Sequence, residues 1–200
     1  MKGIRWVSMI CRPGVVRQVA SEHSAIAAVV VNAVNGVAIV PAVAIWCPLP
    51  LTGSVVVLLA LLLGPLAGFS VPSIYVRIER AVGNYLGGKA SLDYLYRLLA
   101  WSFLPLALAM LFYSLIPSKE TGTVVNILVS IPFLGIAACS VSNYWYNVFE
   151  AQGVTRTRAA VGIMITLIVF VVVVVASAGV LALLFSYGIS EDMKALIVMY

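Results

Sequence analysis

Residues 159–185 read AAVGIMITLIVFVVVVVASAGVLALLF and decide the fold. The stretch has no charged residue and exceeds the roughly 20 apolar residues that carry a helix across a hydrocarbon core of about 30 Å. A membrane strand instead alternates in and out over about ten residues. Positions 168–175 are apolar throughout, as are 55–63, so the crossing elements are helices.

The same reading extends outward. Uncharged stretches also cover residues 23–76, 98–118 and 121–149, and across the whole chain 63% of residues are hydrophobic and 10% charged. An ordinary soluble domain has about 45–50% apolar and 25% charged residues. With a mean hydropathy of +1.12, this composition excludes a water-soluble globule. The remaining segments are shorter than the roughly 50 contiguous residues of a separate catalytic domain.

The first stretch is long enough for two spans. Its middle, Trp46-Cys47-Pro48-Leu49-Pro50-Leu51-Thr52-Gly53, carries two prolines and a glycine and reads as a turn. The expected fold is therefore all-α, a polytopic bundle of five transmembrane helices at about 24–46, 54–76, 98–116, 124–149 and 159–185. A basic amphipathic tail, residues 1–23, precedes this single membrane domain and a tail, 186–200, follows it. Ser91 reads as an N-cap before the third span, with Asp93 in its first turn. Arg5, Arg12 and Pro13 interrupt the N-terminal apolar run, so no cleaved signal peptide is expected and the mature chain should start at or near Met1.

Basic residues mark the cytoplasmic side. Of the 12 Lys and Arg residues, Lys2, Arg5, Arg12, Arg17, Arg77, Arg80, Lys89, Arg97, Arg156 and Arg158 fall in the N-terminal tail, the second loop and the fourth loop. Lys119 and Lys194 fall on the other side. The expected topology is N-terminus in and C-terminus out, and the formal net charge of +5 is the cytoplasmic rim of a protein whose first partner is the lipid bilayer. Within the tail, Pro13 should start a short helix that turns Val15, Val16 and Val19 toward the membrane. Ser190-Glu191-Asp192 reads as the start of another short helix, on the outer surface or docked on the bundle. The membrane-adjacent spread of basic residues carries no nucleic-acid signal.

Chemistry-bearing motifs are few. Gly83-Asn84-Tyr85-Leu86-Gly87-Gly88-Lys89-Ala90 matches the G-x4-G-K core of a phosphate loop, but Ala90 stands where magnesium needs Ser or Thr, and no strand precedes it. Nucleotide binding is not expected. On the boundaries above, no Asp, Glu, Lys, Arg or His falls in a span interior, which leaves no groups for catalysis, proton relays or metal binding within the membrane. His23 reads as an interfacial polar residue. Cys11, Cys47 and Cys139 form neither a disulfide pattern nor a zinc motif. No enzyme activity, cofactor or metal is expected.

The polar groups that enter the spans are amides and hydroxyls. Asn32 and Asn35 share a face of the first span, while Asn126, Ser130, Ser140, Ser142, Asn143 and Asn147 give the fourth a polar stripe. They serve either as interhelical packing contacts or as a polar pocket. Gly64 and Gly68 form a G-x3-G pair for close helix packing. Prolines at 41, 65, 72, 105 and 132 break the backbone hydrogen-bond ladder inside spans. Tyr144-Trp145-Tyr146 fits the aromatic belt at the cytoplasmic interface.

This organisation resembles the Yip-domain family of five-span membrane proteins, prokaryotic type. The likeness is carried by Tyr85-Leu86-Gly87-Gly88-Lys89-Ala90-Ser91, by residues 92–96, and by Trp101-Ser102-Phe103-Leu104-Pro105-Leu106. A second echo is Arg12-Pro13-Gly14 followed by Val16-Arg17-Gln18-Val19-Ala20, and the resemblance covers residues 12–185. It implies five spans with a cytoplasmic N-terminus. Eukaryotic members are linked with Rab-type GTPases and vesicle traffic, but this chain lacks their Asp-Leu-Tyr-Gly-Pro type of motif and has a short tail. The expectation is a non-enzymatic scaffold or adaptor of the prokaryotic cell membrane, or of endomembranes in a eukaryote, with a membrane-protein partner or a second copy of itself. The alternative is a small-solute or lipid transporter or channel using the polar faces of spans one and four.

Overall fold

The computed structural model describes the backbone of residues 12–46, 53–114 and 123–188 and the side chains of 12–38, 57–112, 130–177 and 179. Cys11, Cys47, the turn at 47–52, the side chain of Asn126 and the tail from 189 onward lie outside the described residues. All regular structure among the described residues is helical. In chain order the helices are α1 (Pro13–Glu22), α2 (Ala25–Trp46), α3 (Gly53–Tyr85), α4 (Leu92–Ser114), α5 (Thr123–Gln152) and α6 (Arg156–Gly188).

Among the described residues three stretches, Val57–Tyr85, Leu92–Phe112 and Arg156–Ser177, are long and apolar enough to cross a membrane, and Ala25–Ala38 is a shorter apolar stretch. Their outward faces explain the composition. Leu58, Leu61, Leu62 and Leu66 on α3 and Ile168, Val171, Val172 and Val175 on α6 are exposed, whereas Asn32, Asn35, Glu79, Asn143, Asn147 and Thr166 are buried. Water would penalise so large an apolar surface, but hydrocarbon accepts it. The chain is an integral membrane protein of the helical kind.

The centre of the bundle is α4, which packs on α1, α2, α3 and α5. Its start follows the expected cap, because the Ser91 hydroxyl accepts from the Tyr94 N–H at 3.3 Å and Asp93 lies in the first turn. The apolar core gathers Leu95, Leu98, Trp101 and Leu104 of α4 with Val16 and Val19 of α1, Val76 of α3 and Tyr144 and Val148 of α5. It sits at the end of the bundle that carries the N-terminal helix and the second and fourth loops.

Two expectations are corrected. Val16 and Val19 do not face lipid; they are buried in the core beside Ala20, because α1 lies against α4 and α5. Burial of each of these side chains contributes about 1.5–3 kcal/mol. The second correction is the end of α3, which runs nine residues beyond the expected boundary at 76 and carries Arg77, Glu79 and Arg80 within the helix. Charges were read as loop markers, but they stop neither the hydrogen-bond ladder nor the packing of a helix.

Pro65 and Pro72 stand inside the continuous α3, Pro105 inside α4 and Pro132 inside α5. Around Pro72, the hydroxyls of Ser70 and Ser73 donate to the carbonyls of Leu66 and Phe69 at 2.7 and 2.6 Å. These hydroxyls bond back to their own i−4 carbonyls, while the Gly68 carbonyl is the one that loses its donor to Pro72.

Candidate functional site

The buried face of α3 repeats at Ala60, Gly64, Gly68, Val76 and Glu79, all at helical spacing. Its small residues let α2 come close. A Cβ on Gly64 would stand 2.6 Å from Val37 Cα, and one on Gly68 would stand 2.8 Å from the Asn32 carbonyl carbon. From the other side, a Cβ on Gly36 would lie 2.6 Å from the Gly68 nitrogen. Backbone therefore meets backbone at this crossing. Asn32 and Asn35 are both buried on the same helix, and Asn35 Nδ2 donates to the Ala100 carbonyl of α4 at 3.2 Å.

The stripe ends on a carboxyl group. Glu79 is only 3% exposed, and its Oε2 accepts a hydrogen bond from the Tyr144 hydroxyl of α5. The Tyr144 ring centroid lies 6.1 Å from that of Tyr75 and 5.7 Å from that of Phe103, so α3, α4 and α5 all fix its position. Tyr75 in turn meets Phe170 of α6 edge to face at 5.3 Å. Around this joint Ser140, Asn143, Asn147 and Gln152 of α5 and Thr166 of α6 are buried. Among the described residues, Glu79 Oε1, both amide atoms of Asn147 and Gln152 Nε2 have no hydrogen-bond partner. Glu79, Gln152 and Thr166 share the lining of a cavity of about 20 Å³, room for one water-sized occupant.

This buried carboxyl group lies three residues beyond the expected end of the second span at 76, in the part of α3 that was expected to be loop. The signal was present in the sequence: extending the Gly64/Gly68 face by helical steps of three or four leads to Val76 and Glu79. Ending the span at the first arginine concealed it.

The phosphate-loop look-alike has a different role. Gly87 takes φ +91° and, with Gly88 donating to the Gly83 carbonyl at 2.7 Å, ends α3 in a tight turn. A Cβ on Gly83 or Gly88 would approach Gln152 Cδ to 2.6 or 2.9 Å. The two glycines make room for that amide, whose Oε1 accepts from the Ala90 N–H at 3.3 Å while the Gln152 carbonyl accepts from the Lys89 N–H at 3.2 Å. Gln152 thus joins the second loop to the end of α5, and the backbone amides of Lys89 and Ala90 are engaged with protein.

The N-terminal helix is held to the same end. Arg97 Nη1 donates to the carbonyls of Ala20 and His23 at 3.0 and 3.1 Å, and its Nη2 pairs with Asp93 at 2.7 Å. A cation there suits the negative end of the α1 dipole. His23 adds a 2.9 Å contact from Nδ1 to the Val19 carbonyl and rests on Trp101 at 4.8 Å between ring centroids. Arg17 pairs with Glu150 of α5. Arg12, Arg77, Arg80, Lys89, Arg156 and Arg158 remain exposed, with Tyr85 at 89% exposure.

Of the other sequence candidates, Ser130 is half-buried and engaged on α5, and Asn143 is buried and engaged. Asn32 and Asn35 are buried on α2, with Asn35 bonded to α4, whereas Asn147 belongs to the α5 polar cluster. Cys139 is a free, half-buried thiol. Among the described residues no three His, Cys, Asp or Glu side chains gather to hold a metal. No protein-family model, curated protein or solved structure matches the chain.

Proposed function

We propose that this chain is a non-enzymatic scaffold or adaptor of five spans, with its N-terminus in the cytoplasm, its C-terminus outside and its basic end as the working surface. The observation that carries the proposal is the bracing of that end. Arg97 and the Arg17–Glu150 pair hold α1, while Gln152 ties the second loop to α5. Preordered segments lose less conformational entropy when a partner binds. The exposed arginines around them suit anionic lipid or an acidic face on a membrane-protein partner. The resemblance to prokaryotic Yip-domain proteins, a glycine pair before α4 and Pro105 within it, belongs to this reading and points to the cell membrane.

Crosslinking of the full chain in native membranes, followed by affinity capture in mild detergent, tests the proposal. It predicts a reproducible membrane-protein partner or self-association that weakens in Arg97→Ala, the variant that loosens the end of α1. No reproducible partner or self-association would overturn it.

A second reading, cation-coupled transport of a small solute, is favoured by Glu79 alone, because ionisable groups inside membrane bundles often mark ion pathways. Reconstituted vesicles would then show flux that falls in Glu79→Gln, Asn32→Leu or Asn143→Leu. Flux unchanged in all three removes these residues from a pathway.

A further inference from the structure

Between α5 and α6, at the end that carries the basic loops, a groove of about 490 Å³ opens on the outside of the bundle. It exists because α6 packs chiefly on α3 and meets α5 only sparingly. Trp145, Tyr146 and Phe149 of α5 form one wall, Ile163 and Met164 of α6 form the other, and Arg156 stands at the mouth as the first residue of α6.

Arg156 lies at the end of the groove with Phe149 as the nearest residue of α5, and about one turn deeper Trp145 and Tyr146 stand at the level of Ile163 and Met164. A cation at the membrane surface above an apolar and aromatic cleft suits a phosphate headgroup followed by an acyl chain. Among the described residues no carboxylate pairs with Arg156, and the nearby Glu150 is engaged by Arg17. The positive end of the α6 dipole adds to the attraction for an anion. A second copy of this chain would instead bring its own exposed Arg156 and Arg158 toward a surface of like charge.

We propose that this groove is a binding site for one anionic glycerophospholipid. Its phosphate pairs with Arg156, and an acyl chain runs inward between Phe149, Trp145 and Tyr146 on one wall and Ile163 and Met164 on the other. The proposal rests on the membrane assignment and is independent of the scaffold reading.

Native mass spectrometry of the full chain, purified in mild detergent with equal amounts of phosphatidylglycerol and phosphatidylcholine, tests it. The wild type should retain one phosphatidylglycerol in preference to phosphatidylcholine. Arg156→Gln should reduce that preference about fivefold, the effect of one basic residue at a membrane surface. Met164→Trp, at an exposed position, should fill the groove and remove the bound lipid, while Arg80→Gln, an exposed cation outside it, should leave retention unchanged. Equal retention of the two lipids, equal effects of the two arginine variants, full retention by Met164→Trp, or a second copy bound in place of lipid would overturn the proposal.

Discussion

Glu79 shows how one side chain alters the account of a whole bundle. A carboxyl group buried in a protein interior carries a desolvation cost that only close partners offset. Tyr144 provides one such partner, and Glu79 lines a small cavity together with Gln152 and Thr166. Removing the hydroxyl by Tyr144→Phe leaves Glu79 without that donor and should cost about 1–3 kcal/mol. The double variant Glu79→Leu/Tyr144→Phe, which removes both polar groups, should recover part of the loss. Thermal unfolding of the four proteins in one detergent checks this, and a double variant less stable than either single would contradict the pairing. The polar residues of the fourth span were legible as a stripe at 140, 143 and 147, because amides stand out against an apolar background. Glu79 was not, because its neighbours Arg77 and Arg80 made the segment look like a loop.

The helices were legible because uncharged length is a strong signal, and their starts were legible where a cap marks them, as at Ser91. Their ends were harder. The sequence reading closed α3 at the first charge, whereas the chain closes it at the Gly87 turn, where a positive φ ends the helix. The G-x3-G pair was legible as a packing face, but its partner was not, since nothing in residues 64–68 specifies α2 and Gly36. Backbone opposes backbone at this crossing, so even one methyl group is too large. Gly68→Ala should destabilise the bundle by about 1–3 kcal/mol, the usual cost of overpacking. Gly135→Ala is the control: no atom lies within 4 Å of its added Cβ, and alanine favours a helix over glycine by about 0.5–1 kcal/mol. Melting temperatures should therefore move in opposite directions, and a loss of equal size in both variants would refute the α2–α3 crossing.

The molecule has its polar groups inside, its apolar side chains outside and its cations concentrated at one end. Direct contacts join that end: Arg17 to Glu150, Arg97 to the end of α1, and Lys89 and Ala90 to Gln152. The tail, the second loop and the fourth loop, which the charge count assigns to one side of the membrane, therefore meet in space. The central claim is a five-span bundle whose basic end faces the cytoplasm. Its most direct test is labelling of intact cells with a membrane-impermeant thiol reagent, using single cysteines introduced as Lys89→Cys or Arg156→Cys in a Cys11→Ser/Cys47→Ser/Cys139→Ser background, together with an epitope after Tyr200. The account predicts that both cysteines react only after the membrane is permeabilised, while an antibody reaches the epitope without permeabilisation. Labelling of either cysteine in intact cells, or an epitope detectable only after permeabilisation, would contradict it.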